Sequence, residues 1–86
     1  MIYVDPLMKW PTNIRCFKSG SCHLFADNID ELHAFAARLG LQRSWFQNHK
    51  RLPHYDLTAN KRRLAVSLGA KEVSQKEMVS FMSANT

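Results

Sequence analysis

The stretch from Cys22 to Gly40 constrains the fold most, because its apolar residues change period within a few positions. Cys22, Leu24 and Ala26 alternate with His23 and Phe25, the two-residue repeat of a strand with two different faces. From Ile29 the repeat lengthens: Ile29, Leu32, Phe35, Ala36 and Leu39 fall on one stripe of a helix, with Asp30, Ala34 and Arg38 opposite. Asp27 is the expected cap, Asp30 and Glu31 place negative charge at the amino end, and Arg38 places positive charge at the other. Gly40 can adopt the left-handed conformation that closes a helix, with Leu41 folding back. A strand leading directly into an amphipathic helix calls for a sheet with helices packed on it.

The remaining segments fit that plan. Ile2 to Val4 reads as an opening strand, stopped by Asp5-Pro6. Turn-prone residues fill Leu7 to Gly20, leaving room for a short strand around Arg15 to Phe17. Leu41 to Gln47, with Trp45-Phe46, suits another strand, and Asn48 to Asp56 reads as a basic loop centred on Pro53. Thr58 or Asp56 caps a helix over Ala59 to Leu68 that turns Leu64, Ala65 and Leu68 inward and ends at Gly69. Ala70 to Val73 suits a strand. Ser74 and Glu77 then have capping-box spacing, flanked by Val73 and Met78 as a hydrophobic staple, which predicts a helix over Gln75 to Met82 and a frayed tail over 83–86. The expectation is an α/β or α+β domain: one small, short-stranded sheet of three or four strands packed by about three helices. Its core holds Val4, Leu24, Ile29, Leu32, Phe35, Leu39, Trp45 and Leu64.

At 86 residues and 45% hydrophobic content, the chain reads as a single domain over 1–86, with 1–21 its least patterned part. A core this small leaves room for a homodimer. Apolar runs stay far short of the ~20 residues of a membrane span, and the amino-terminal pattern is not that of a signal peptide, so a cytoplasmic location with no membrane partner is expected. Cys16 and Cys22 are not spaced as a Cys-x-x-Cys pair and read as reduced thiols. The net charge of +5 favours anionic partners, including nucleotides and nucleic acid.

The run Cys-His-Leu-Phe-Ala-Asp from Cys22, the Glu-Leu-His-Ala-Phe-Ala from Glu31, Trp45-Phe46-Gln47, Pro53-His54-Tyr55-Asp56-Leu57-Thr58 and the later Lys-Arg and Gly-Ala pairs resemble a family of short bacterial and phage proteins, domain of unknown function 4031. The resemblance is clearest over residues 22 to 74 and extends to Tyr3-Val4-Asp5. It implies a stand-alone small domain of phage or prophage origin. It carries no activity and no catalytic residue.

Three functional readings compete. The first is a pocket for a small anionic, nucleotide-like ligand between the His23-to-His33 region and the His54-Tyr55-Asp56 loop. Trp45 or Tyr55 would stack on a ring while His54, Lys61 and Arg63 meet phosphate oxygens. The second is a divalent metal held by His23, His33, His54 and Asp56, with Asp5 in attendance, activating water to hydrolyse a phosphoester or nucleotide. No His-x-x-x-His or His-Glu-x-x-His motif fixes two of these ligands on one helix, so the fold alone must bring them together. The third joins His49-Lys50-Arg51 and Lys61-Arg62-Arg63 into a basic surface for nucleic acid. Against all three stands the ordinary reading: histidines scattered at boundaries, Asp56 as a cap and basic runs as solvated faces.

Overall fold

A computed structural model describes residues 1–8 and 20–84. The strand expected around Arg15 to Phe17 lies outside the described residues, as does Cys16. Four strands and three α-helices are present among the described residues: β1 (Ile2–Val4), β2 (Ser21–Ala26), α1 (Ile29–Arg38), β3 (Tyr55–Thr58), α2 (Ala59–Ser67), β4 (Lys71–Glu72) and α3 (Gln75–Ala84). The strands form one mixed sheet in the order β3-β2-β1-β4. Antiparallel pairs join β1 to β2 and β2 to β3, while β4 runs parallel to β1. This is an α+β fold.

Strand alternation divides the core between the two faces of the sheet. Ile2, Val4, Cys22, Leu24, Tyr55 and Leu57 point to one face, where they pack with Leu32, Phe35, Ala36 and Leu39 of α1 and Ala65 of α2. Phe25 points to the other face and packs with Val73, Met78 of α3 and the loop residue Leu52; Tyr3, Phe81 and Met82 border this cluster. Tyr3, Phe25 and Phe81 bring their rings together there at centroid distances of 5.0 to 5.8 Å. The sheet is therefore a middle layer between α1 and α2 on one side and α3 with Leu52 of the 47–54 loop on the other.

Several local expectations hold for the reasons given. Leu41 N–H donates to the Ala36 carbonyl and Gly40 N–H to that of Ala37, the paired bonds of a Schellman closure, with Gly40 at φ +79°. Gly69, at φ +108°, ends α2 in the same way. Thr58 caps α2 by accepting from Lys61 N–H at 3.2 Å. Ser74 and Glu77 exchange side-chain to backbone bonds, both at 3.1 Å, and Val73 and Met78 are buried beside them.

Other expectations are corrected. Asn28, in extended conformation, caps α1 by accepting from Asp30 and Glu31 N–H at 2.8 and 3.1 Å, so the helix starts one residue later than a cap at Asp27 requires. Asp27 instead accepts from the Tyr3 hydroxyl at 2.9 Å. Residues 41–47 form no strand; Arg43–Trp45 is a 3-10 turn, and Trp45 is 51% exposed because that turn has no sheet face to rest on. Ile29 opens α1 outside the buried patch and is 43% exposed. Leu64 is 40% exposed because α2 buries only Ala65 fully.

Leu32 is 1% exposed, so Leu32→Ala should lower the unfolding free energy by ~2–5 kcal/mol, whereas Trp45→Ala should stay within about 0.5 kcal/mol of wild type. Denaturant midpoints at a shared m-value will decide both.

Candidate metal centre

The site begins with a carboxylate buried at the end of β1. Tyr3 and Asp5 point to the face opposite Val4, and Asp5 is only 2% exposed. A buried carboxylate must find donors. His23 on the neighbouring strand supplies two: its backbone N–H donates to Asp5 Oδ1 and its ring Nδ1–H to Asp5 Oδ2, each at 2.6 Å. Arg62 of α2 donates from Nε to the Asp5 carbonyl at 3.0 Å and from Nη1 to Glu72 at 3.0 Å, tying the end of β1 to α2 and β4. With Nδ1 committed to Asp5, Nε2 is the His23 ring nitrogen left to bind a ligand.

The register of β2 with β3 places Asp56 opposite His23. Directly opposed residues share a face, so the carboxylate and the imidazole project together. A separate antiparallel bridge between Gln47 and His54 keeps the chain extended one residue before β3, and the two-residue spacing puts His54 on the same face as Asp56. The His54 ring meets that of His23 edge-on at a centroid distance of 4.7 Å. One ligand atom from each of His23, His54 and Asp56 lies within 4.8 Å of the others. Gln47 completes the frame, its side-chain amide donating to Asp56 Oδ2.

The protonation pattern of His54 is set by its neighbours. Its Nδ1 lies 2.6 Å from the Leu52 carbonyl, which can only accept, so Nδ1 carries the hydrogen. Burial lowers the His54 pKa below the ordinary 6.5, which disfavours a second proton. In that neutral tautomer Nε2, which lies 3.5 Å from Asp56 Oδ1, carries no hydrogen. Two acceptors so placed repel, and a cation between them removes the repulsion. His23 behaves oppositely: its hydrogen bond to Asp5 raises its pKa, against the lowering effect of burial.

The residues of the expected ligand pocket divide between the two sides of the sheet. Tyr55, between His54 and Asp56 in sequence, points to the α1 face, where its hydroxyl bonds His33 Nδ1 at 2.8 Å beside Phe46. Burial, then Arg43, lowers the His33 pKa. His33 and Tyr55 thus form a packed pair away from His23, His54 and Asp56. Trp45 is exposed in its turn. Lys61 donates to the Leu39 carbonyl at 2.6 Å, closing the end of α1, and Arg63 binds Asn60 within α2. Among the described residues, these groups do not gather on one face of the sheet. Of the four expected metal ligands, three converge and His33 does not.

Sequence reasoning passed over Gln47 and gave Asp5 only a minor place. The available signal was the i, i+2 spacing of His54 and Asp56, which has meaning only if that segment is extended. Pro53 made it read as a loop. Pro53 in fact precedes the extended segment, and strand geometry then separates Tyr55 from its neighbours.

A family model described as protein of unknown function (DUF4031) matches residues 2–85. The chain belongs to this family. The match includes the described segments that supply Asp5, His23, Gln47, His54 and Asp56. No curated protein and no solved structure matches the chain. Among the described residues, no helix is long and apolar enough to cross a membrane.

The two histidines should titrate on opposite sides of the ordinary 6.5. His23 contributes stability at low pH that is lost as pH rises through its raised pKa. The native His54 resists the proton that the unfolded chain accepts, so stability falls as pH drops below about 6.5. Ring-proton NMR titration of the metal-free protein should show His23 above and His54 below that value, and Asp5→Asn should return His23 toward it.

Proposed function

We propose that this protein holds a first-row divalent metal ion through His23, His54 and Asp56 and uses it to activate water for hydrolysis. The observation that carries this reading is the convergence of His23, His54 and Asp56, one ligand atom of each within 4.8 Å of the others, with Nδ1 of His23 already engaged by Asp5 and Nδ1 of His54 by Leu52. Both imidazoles have the outer hydrogen bonds that metal-bound histidines generally have, His23 to a carboxylate and His54 to a backbone carbonyl. Two imidazoles and one carboxylate suit zinc or a similar ion and leave coordination positions for water and substrate.

The ligand atoms, now within 4.8 Å of one another, would close to roughly 3.3 Å around an ion with ~2.1 Å bonds. The side chains of His23 and Asp56 are 37% and 39% exposed, so the small shifts that closure requires are not opposed by core packing. The bound ion would polarise water and lower its pKa toward neutrality. Asp5 and Leu52 keep the two imidazoles in the ligating tautomer, and Gln47 orients Asp56. The anionic ligand expected from sequence then becomes a substrate over this centre rather than the occupant of a pocket reaching His33.

Purified without chelator or affinity-tag metal, the wild type should carry close to one equivalent of zinc, or take it up on titration. His54→Ala and Asp56→Ala should abolish stoichiometric binding, Asp5→Asn should weaken it about 10- to 100-fold, and His33→Ala should leave it unchanged. Metal analysis and competition with a chromophoric chelator will measure these affinities. A wild type that neither carries nor takes up a divalent ion would overturn the reading.

A further inference from the structure

We propose that the concavity between β4 and α3 binds a free amino acid with an aromatic or large apolar side chain; this site is separate from the metal centre and does not rest on it. Two elements build it. Tyr3 and Lys71 are partners in the parallel pairing of β1 with β4, so they stand side by side on the face that also carries Phe25. On α3, Glu77, Ser80 and Phe81 follow the i, i+3, i+4 spacing that gathers residues onto one strip of a helix. Strip and strands together line a concavity of ≈ 410 Å³, within the ~300–1,000 Å³ of small-molecule sites. None of its lining residues belongs to the group of His23, His54 and Asp56.

The lining has an apolar part and a charged part. Phe25 is 1% exposed and lies deepest, and the half-buried rings of Tyr3 and Phe81 pack on it at centroid distances of 5.4 and 5.0 Å. The Tyr3 hydroxyl is committed to Asp27, so this residue offers the concavity its ring. A flat or branched apolar group covers such a surface well. Lys71 and Glu77 line the same concavity, yet no ion pair joins them. Among the described residues, neither has an ion-pair partner elsewhere. Glu72, the acid next to Lys71, is taken by Arg62, and Glu77 accepts from the Ser74 N–H through Oε1, which leaves Oε2.

These charges select the ligand. An anion alone would be drawn by Lys71 and repelled by Glu77, and a cation alone would meet the reverse. A zwitterion satisfies both, its carboxylate on Lys71 and its ammonium on Glu77, while the Ser80 hydroxyl can donate to the first or accept from the second. An α-amino acid carries the two charges on one carbon beside its side chain, so it presents all three groups in a space of this size. In a peptide those charges lie at opposite ends or are lost to amide bonds. The flexible stem of Lys71 lets its ammonium follow the carboxylate.

Titration of the wild-type chain with L-phenylalanine and L-leucine, followed by calorimetry and ring-proton NMR, tests the assignment. Saturable one-to-one binding is expected, with shifts at Tyr3, Phe25 and Phe81. N-acetyl-phenylalanine lacks the ammonium, phenylalanine amide lacks the carboxylate and glycine lacks the side chain; each should bind at least about tenfold more weakly. Lys71→Gln and Glu77→Gln should each weaken binding by a similar factor, and since glutamine can still complete the capping box, α3 keeps its start. Lys71→Arg should retain most of the affinity. Lys76→Gln, next to Glu77 but outside the concavity, should match wild type. The assignment is overturned by absence of saturable binding, by binding of the acetylated or amidated forms as tight as that of the free amino acid, or by affinity indifferent to both charge substitutions. Equal binding of a blocked peptide with an internal phenylalanine would overturn it in favour of a peptide groove.

Discussion

The double contact between Asp5 and His23 is the constraint on which the site depends. A carboxylate this deeply buried is costly without donors, and one residue supplies both, from its backbone and from its ring. The contact fixes the end of β1 against β2 and selects the His23 tautomer. Its reach extends through Arg62, whose guanidinium bridges the Asp5 backbone to Glu72 on the sheet edge. Cys22, next to His23 but on the opposite face, has its thiol pushed up to about 12 by burial and stays a packing residue. Polar chemistry is thereby confined to one side of β2.

That separation follows from the pleat. Each of the strands β1, β2 and β3 turns apolar residues toward α1 and α2, and the other face takes Tyr3 and Phe25 at one end and Asp5, His23, Asp56 and the bridged His54 at the other. Helix α3 and Leu52 of the 47–54 loop cover the Phe25 end of this second face, leaving the His23 end to the ionisable groups. A short chain can then keep a continuous core and still devote part of one sheet face to ionisable groups.

Much of the fold was legible in the sequence because local chemistry decided it. The alternation of β2, the closures at Gly40 and Gly69, and the Ser74-Glu77 box are interactions between near neighbours, and each formed as its residues require. Where packing decided, composition misled: Trp45 and Ile29 are apolar residues without a surface to cover. The site was harder to read for the same reason. His23 and Asp56 are adjacent only through strand register, and Pro53 disguised an extended segment as a loop, which grouped Tyr55 with His54 and Asp56 and drew His33 in with them. Asp5 gave no periodic signal, since its importance comes from being buried beside a residue on another strand.

The central claim is that the fold presents two imidazoles, each with Nδ1 already hydrogen-bonded, and a carboxylate to a single ion. Diffraction data from crystals of the zinc-loaded protein, collected on both sides of the zinc absorption edge, test it most directly. The account predicts one strong anomalous peak bonded to Nε2 of His23, Nε2 of His54 and a carboxylate oxygen of Asp56, at distances near 2.1 Å, with Nδ1 of His23 still on Asp5. A peak at His33 or among surface histidines, with the His23, His54 and Asp56 side chains placed as in the metal-free fold, would contradict it.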